Sequence, residues 1–455
     1  MRVTDLAPQP QAALAAIILA AGQGTRMKSR LHKVLHPIAH KPMLLHILDS
    51  LAPLSPARQI VVLGAHHEQV DAALAGRPVS LAHQHQQLGT GHAAAQAEAA
   101  LKGFSGTVLI LFGDVPLVST ATLARLEAAL EPGIAVAVLG FRPADPGHYG
   151  RIIASGDRIE KMVEYKDATP SERAETLCNS GLMAVRADDL WRWLSRIDRN
   201  NAAGEYYLPD IIGLAVAEGQ RARVIEATAM EVTGVNSRTE LAQAEALWQQ
   251  RRRAELMAAG VSMQAPETVF LAHDTMIEAD VSLEPFLVCG PGVHIASGAR
   301  IRGHCHLEGA RIGEGCEVGP FARLRPGTVL EAGAKIGNFV ETKNAHFGVG
   351  AKANHLSYLG DASIGAAANI GAGTITCNYD GHFKYRTQIG AGAFIGSNSA
   401  LVAPVSIGDG AIVAAGSTIT ANVSADALAL VRSPQSEKPG WALRFHTAMR
   451  ARKKG

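Results

Sequence analysis

Leu19-Ala20-Ala21-Gly22-Gln23-Gly24-Thr25-Arg26-Met27 sets small residues beside a guanidinium, and Lys33 lies a little further on. Small residues let backbone N–H groups approach a phosphate, and Arg26 and Lys33 can supply the countercharge. Neither common phosphate loop fits. Met27 stands where the dinucleotide fingerprint has its third Gly, and no Gly precedes Lys28-Ser29 as the Walker pattern requires. Taken alone, a Gly-x-Gly is equally a strand-to-helix turn. Further along, Phe112-Gly113-Asp114 closes an apolar run with a carboxylate. Such a group suits Mg²⁺, which takes one or two protein oxygens and completes its octahedron with water and phosphate. Asp114 could equally cap the following turn. A second chemistry is offered by Asn354-His355-Leu356-Ser357-Tyr358, whose imidazole titrates near neutrality and could take a proton from an amine. The chain has 18 histidines, so residue type alone does not single this one out.

The elements that position these residues have two periods. Residues 15 to 230 alternate apolar strands, such as Ile17-Ile18-Leu19, Ile60-Val61-Val62-Leu63, Val108-Leu109-Ile110-Leu111-Phe112 and Ala135-Val136-Ala137-Val138-Leu139, with helical segments. That is the pattern of an α/β, Rossmann-like, mostly parallel sheet, whose ligands sit at the strand C-terminal ends. Beyond residue 264 the interval changes to six: Ile277, Leu283, Cys289, Ile295, Ile301, Leu307, then after a one-residue slip Ile312, Val318, Leu324, Leu330, Ile336, and later Ile389, Ile395, Leu401, Ile407, Val413, Ile419. Neither a helix nor a strand repeats every six residues; a triangular parallel β-helix turning one corner per hexapeptide does. Rungs of about 18 residues, stacked about 4.8 Å apart, predict roughly nine coils and a prism about 40 Å long. The beat breaks at Asn378-Tyr379-Asp380-Gly381-His382-Phe383-Lys384-Tyr385, which predicts an extruded loop. Its aromatic and basic residues suit a phosphate-bearing cofactor. Between the two regions, Ser237-Arg238-Thr239-Glu240 reads as a capping box opening a helix to about residue 258. Leu241, Ala244, Leu247 and Trp248 share one face of that helix, and Arg251-Arg252-Arg253 reads as its solvated side.

Composition narrows the functional classes. A length of 455 residues allows two or three domains, and a formal charge of +2 argues against bulk nucleic-acid binding. The basic tail Arg450, Arg452, Lys453, Lys454 reads as a solvated terminus. Five cysteines, Cys178, Cys289, Cys305, Cys316 and Cys377, form no Cys-x-x-Cys pair, so neither a disulfide framework nor a zinc knuckle is indicated. A reducing cytoplasm fits. The run Ala12 to Ala21 has only Arg2 before it and leads into the phosphate loop, so it reads as a buried strand rather than a signal peptide. No stretch reaches the roughly 20 apolar residues of a membrane span.

With Gln84, Gly89-Thr90, Gly150, Glu164, Asn179 and Asn236 following the phosphate loop in order, residues 15 to 236 resemble the sugar-1-phosphate nucleotidyltransferases. Together with the β-helix, nearly the whole chain is similar to the bacterial bifunctional N-acetylglucosamine-1-phosphate uridyltransferase and glucosamine-1-phosphate N-acetyltransferase family. The resemblance implies a uridyltransferase domain over 1–236, a linker helix over 237–258 and a left-handed β-helix acetyltransferase domain with tail over 259–455. At the first site it implies transfer of a uridylyl group from UTP to N-acetylglucosamine 1-phosphate. Arg26 and Lys33 would hold the triphosphate, Leu19, Ala20, Ala21 and Gly22 would approach the nucleotide, and Gln84, Gly89 and Thr90 would read the uracil. Gly150, Glu164 and Asn179 would bind the sugar, and Asp114 with Asn236 would hold Mg²⁺. At the second site it implies transfer from acetyl-CoA to glucosamine 1-phosphate. His355 would be the general base, oriented by Glu341. Arg325, Lys343 and Tyr358 would clamp the sugar phosphate, Asn369 would lie near the amine, and Ala372, Asn378, Tyr379, Ser397, Ala415 and Arg432 would line the acetyl-CoA groove. A homotrimer with sites between prisms is also implied. His32 departs from the family, which has Pro before the Lys.

Other readings stay open at this point. The β-helix could be structural, leaving one nucleotidyltransferase activity, or the chain could be a non-enzymatic scaffold of the same layout. His304 and His306, if on one strand, could share a zinc ion, although no third ligand is evident.

Overall fold

The computed structural model describes residues 13–22, 24–65 and 67–454. Arg2, Ala12 and Gln23, named above, lie outside the described residues, as does the Lys454 side chain. The chain divides into two compact units, Met1–Arg251 and Arg252–Gly455.

The first unit is built on a nine-stranded sheet. At its centre Leu14–Ala20 is buried along its whole length, with parallel neighbours Arg58–Leu63 and Thr107–Phe112. Alternate residues of this strand feed two cores, Ala15, Ile17 and Leu19 on one face and Leu14, Ala16, Ile18 and Ala20 on the other. A strand covered on both faces needs an unbroken apolar run, which is why it could pass for a signal-peptide core. Ser80–His83 extends the parallel part, and Ile134–Phe141 pairs parallel with Arg221–Glu226. Between these parallel sets Cys178–Arg186 is inserted antiparallel to both neighbours. The hairpin Arg151–Ser155 with Arg158–Val163 closes the far edge. The sheet is therefore parallel around the phosphate loop and mixed beyond it.

The helix Arg238–Ala258 starts as its sequence predicts, with one difference. Glu240 N–H donates to Ser237 Oγ at 3.2 Å, but the Glu240 carboxylate accepts from Asn236 N–H at 2.6 Å rather than from Ser237. The reciprocal half of the box thus fixes the backbone of Asn236. The three arginines are not a solvated face. Arg251 donates to Leu117 C=O at 3.1 Å within the first unit, and within the second Arg252 and Arg253 donate to Thr275 C=O at 3.2 Å and Val269 C=O at 3.1 Å. Guanidiniums with several donors are well suited to capping carbonyls at the ends of strands and turns.

The second unit is a parallel β-helix. One face carries ten stacked strands, from Ser262–Met263 to Leu428–Ala429, and the other two join into one fifteen-stranded sheet. All the aliphatic residues at the six-residue interval are buried along its axis, as is Cys289. Rung spacing explains both irregularities in the beat. Met276 pairs with His294, 18 residues on, whereas His294 pairs with Arg311, 17 on, which is the slip. Ser363 pairs with Gln388, 25 residues on, and the surplus is the extruded segment. That segment is a small hairpin: Tyr385 N–H returns to Asn378 C=O at 2.9 Å, and Asp380 accepts from the N–H groups of His382 and Phe383. The basic tail is an exposed helix, Trp441–Lys454.

Candidate functional sites

In the first unit the loaded residues gather at the C-terminal ends of the parallel strands. Lys33 opens a short helical turn, Lys33–Leu35, and its side chain is nearly buried. Its ammonium donates to the Asp114 carboxylate and, at 2.6 Å, to Asn236 Oδ1. Gly24 makes room for this lysine: a Cβ there would come 2.5 Å from Lys33 Cβ, and its φ of +63° is a conformation side chains disfavour. Asp114 is held by its backbone, since its C=O accepts from Val235 N–H at 2.8 Å, and Asn236 is held through Glu240. Two hard oxygens thus converge on one cationic position, which fits a Mg²⁺ site of one carboxylate and one amide. His32, standing where the resemblance leads one to expect Pro, has a backbone N–H that donates to Gln69 Oε1 at 2.9 Å. Gln69 in turn donates to Arg30 C=O at 3.1 Å, so the turn carrying Lys33 gains a clamp that Pro cannot make.

A cavity of about 270 Å³ joins Thr90, Asp114, Gly150, Glu164, Asn179 and Asn236. Burial, with Asp210, Asp167 and Glu205 nearby, pushes the Glu164 carboxyl above the usual carboxylate range. Asn179 accepts from Gly181 N–H at 2.8 Å through its side chain, and its N–H donates to Gly150 C=O at 2.9 Å. Gln84 is buried and donates to Gly89 C=O at 3.0 Å. Leu19 and Ala20 end the first strand, buried Ala21 follows it, and above Gly22 there is open space. Arg26 is exposed on the loop and stands outside this cavity's lining. Sequence reasoning missed Gln87, whose amide donates to Ala21 C=O at 2.6 Å, and Phe112 and Tyr149 in the cavity wall. Gln87 lay between two quoted motifs and could have been found there.

In the second unit His355 ends the strand Lys352–His355 and is exposed, not sealed in the axis. One prism corner stacks His355-Leu356, Ala372-Gly373, Ser397-Asn398 and Ala415-Gly416: Gly373 N–H donates to Leu356 C=O, Asn398 N–H to Ala372 C=O and Gly416 N–H to Ser397 C=O. Arg432 caps the row through Ala415 C=O at 2.6 Å. On the other side of His355 the same corner carries stacked rings, Phe286, His304, Phe321 and Phe339, with centroids 4.7, 4.8 and 5.2 Å apart. Small residues therefore begin where the histidine stands. His304 belongs to the ring stack at a φ of +59°, in a bend rather than on a strand with His306, and among the described residues no group of three metal-binding side chains is found.

Glu341 does not orient His355. Its carboxylate accepts from Arg325 at 2.9 Å, while His355 Nδ1 meets Asn338 Oδ1 at 2.7 Å. Glu341 and Tyr358 are cross-rung partners, and Lys343 pairs with Gly360 on the same strand pair. Asn369 lies opposite Lys352, at the far end of the strand that His355 closes. Two further residues join this group: Asp361, which sequence reasoning missed, and Lys384, which it read only as a basic residue of the extruded loop. Lys384, from the hairpin, approaches the Lys343 ammonium and holds it below the ordinary lysine range. Asp361 accepts from Asn344 at 2.7 Å and from Asn378 at 2.5 Å, tying the hairpin's first residue to the prism. Burial works against its ionisation, but these bonds and both lysines hold its carboxyl below the usual range. Tyr379 is exposed, with its hydroxyl on Gly381 C=O.

Residues 16–179 match the MobA-like NTP transferase domain, and residues 386–421 match the bacterial transferase hexapeptide repeats. A Bifunctional protein GlmU of Sphingopyxis alaskensis is 63% identical over 97% of this chain and 98% of its own length. Those of Zymomonas mobilis and Rhizorhabdus wittichii are 57% and 62% identical, over 94% and 96% of this chain and 97% and 98% of theirs. With a nucleotidyltransferase unit and a left-handed hexapeptide β-helix in one polypeptide, the chain belongs to the bifunctional GlmU transferase family.

Proposed function

We propose that the first cavity makes UDP-N-acetylglucosamine from UTP and N-acetylglucosamine 1-phosphate, and that the corner at His355 makes that sugar phosphate from glucosamine 1-phosphate and acetyl-CoA. Uridylyl transfer brings two anions together, so charge neutralisation and alignment are the protein's main tasks. Lys33 and Arg26 meet the triphosphate, the strand end Leu19 to Gly22 lets it approach backbone, and Glu164 and Asn179 orient the sugar hydroxyls beside Gly150. Gln84, Gly89 and Thr90 face the uracil. Asp114 and Asn236 would hold Mg²⁺, which when bound lowers the charge of the triphosphate. Pyrophosphate leaves as the sugar phosphate oxygen bonds to the α-phosphorus.

At the corner, His355 takes a proton from the substrate ammonium, and the free amine attacks the thioester carbonyl. On collapse the carbon–sulfur bond breaks, the new amide nitrogen releases its remaining proton to solvent, and the imidazolium gives its proton to the thiolate. Arg325, Lys343, Lys384 and Tyr358 bind the sugar phosphate, and the row Ala372, Ser397, Ala415 and Arg432, with Asn378 and Tyr379, receives the cofactor. The observation that carries this reading is that row of small corner residues beginning at His355. The exposed rings beside it support assembly as a homotrimer, with domains over 1–236 and 259–455 and a linker between. Five unpaired cysteines fit a reducing cytoplasm. A coupled assay with glucosamine 1-phosphate, acetyl-CoA, UTP and Mg²⁺ tests it: UDP-N-acetylglucosamine should accumulate. Product formed only when N-acetylglucosamine 1-phosphate is supplied would reduce the β-helix to a structural role.

A further inference from the structure

The base assignment leaves open what selects the proton-accepting nitrogen of His355. Asn338 ends the strand Lys335–Asn338, one rung below the strand that His355 ends, and the two residues are paired in register. Its backbone C=O accepts from Leu356 N–H at 3.0 Å, and its side-chain oxygen meets His355 Nδ1 at 2.7 Å. Ser357 Oγ donates to His355 C=O at 2.9 Å. The ring is thus fixed through its own backbone and through one nitrogen.

We infer that Asn338 is the positioning residue of the acetyl-transfer base: its amide oxygen keeps the proton on His355 Nδ1 and leaves Nε2 free to take a proton from the substrate ammonium. An amide oxygen only accepts, so the nitrogen facing it must donate, and a neutral imidazole then has its lone pair on the other nitrogen. A carboxylate in the same place would also select this tautomer, but it would favour the charged ring and keep the base protonated to higher pH. The carboxylates on the neighbouring strands are engaged. Glu341 is paired with Arg325, and in the cavity beside His355 Glu317 is paired with both Arg302 and Lys335. Lys352 is the remaining charged group of that cavity wall. The inference rests on His355 being the base.

The test uses the full-length chain and acetyl transfer to glucosamine 1-phosphate. Asn338→Ala should lower kcat about 10²-fold, the scale of loss for a misoriented catalytic group, with little change in either KM. Asn338→Asp should keep most of kcat at high pH but move the ascending limb of the kcat profile upward by about one pH unit. If His355→Ala is inactive while Asn338→Ala keeps the parental kcat, the positioning role is overturned and the base assignment stands. An active His355→Ala overturns both. If Asn338→Ala does not fold, the Asp variant decides: an unmoved limb overturns the inference.

Discussion

Glu164 carries the clearest pH signature among the proposed sugar contacts. Burial and the carboxylates of Asp210, Asp167 and Glu205 raise its pKa, so it takes up a proton at a pH where exposed glutamates are still ionised. As a carboxylate it accepts two hydroxyl hydrogen bonds; once protonated it loses part of that capacity. KM for N-acetylglucosamine 1-phosphate should therefore rise as pH falls through mildly acid values. Glu164→Gln cannot titrate, so its KM should be several-fold higher at neutral pH and nearly flat across the same range. A parallel rise in both proteins would assign the titration elsewhere. Residue types made this site legible as chemistry, but not as geometry. The resemblance makes Glu341 the carboxylate that orients His355, yet in the β-helix Glu341 accepts from Arg325 on the preceding rung and Asn338 lies in register one rung below His355. Which residues become neighbours depends on rungs of 17 or 18, and one residue changes the partner.

At the scale of elements, the six-residue beat was readable because it reports burial directly. Each aliphatic at that interval points to the axis, and its chemistry does not depend on distant sequence. The corner at His355 was less readable, because Ala372, Ser397 and Ala415 are inconspicuous as residues and gain meaning only by stacking across an eight-residue hairpin. The arginines of the linker helix were misread for a similar reason: a charge run carries no record of the carbonyls it will cap. The stacking has an energetic consequence. Ile395 is fully buried and sits between Ile370 and Val413 on adjoining rungs. Ile395→Ala removes packing on both sides, and rigid stacked rungs cannot collapse far into the gap, so it should cost about 2–5 kcal/mol. Denaturant unfolding followed through acetyltransferase activity should show a lower midpoint. An unchanged midpoint would mean that the rungs repack around the gap.

For the whole molecule, the two compact units divide the proposed site residues between them, one set to each. Asp114 and Lys33 belong to the first unit, and His355, Arg325 and Lys384 to the second. Asp114→Ala should thus abolish uridylyl transfer and leave acetyl transfer at the parental rate, while His355→Ala should do the reverse. The decisive measurement combines the two variants in one vessel with glucosamine 1-phosphate, acetyl-CoA, UTP and Mg²⁺. If N-acetylglucosamine 1-phosphate is released into solution after acetylation, the Asp114 variant makes it and the His355 variant consumes it. UDP-N-acetylglucosamine then appears after a lag that shortens as protein concentration rises. If the intermediate passed only within one polypeptide or assembly, neither variant could complete the sequence, and the mixture would stay silent although each half-reaction was intact.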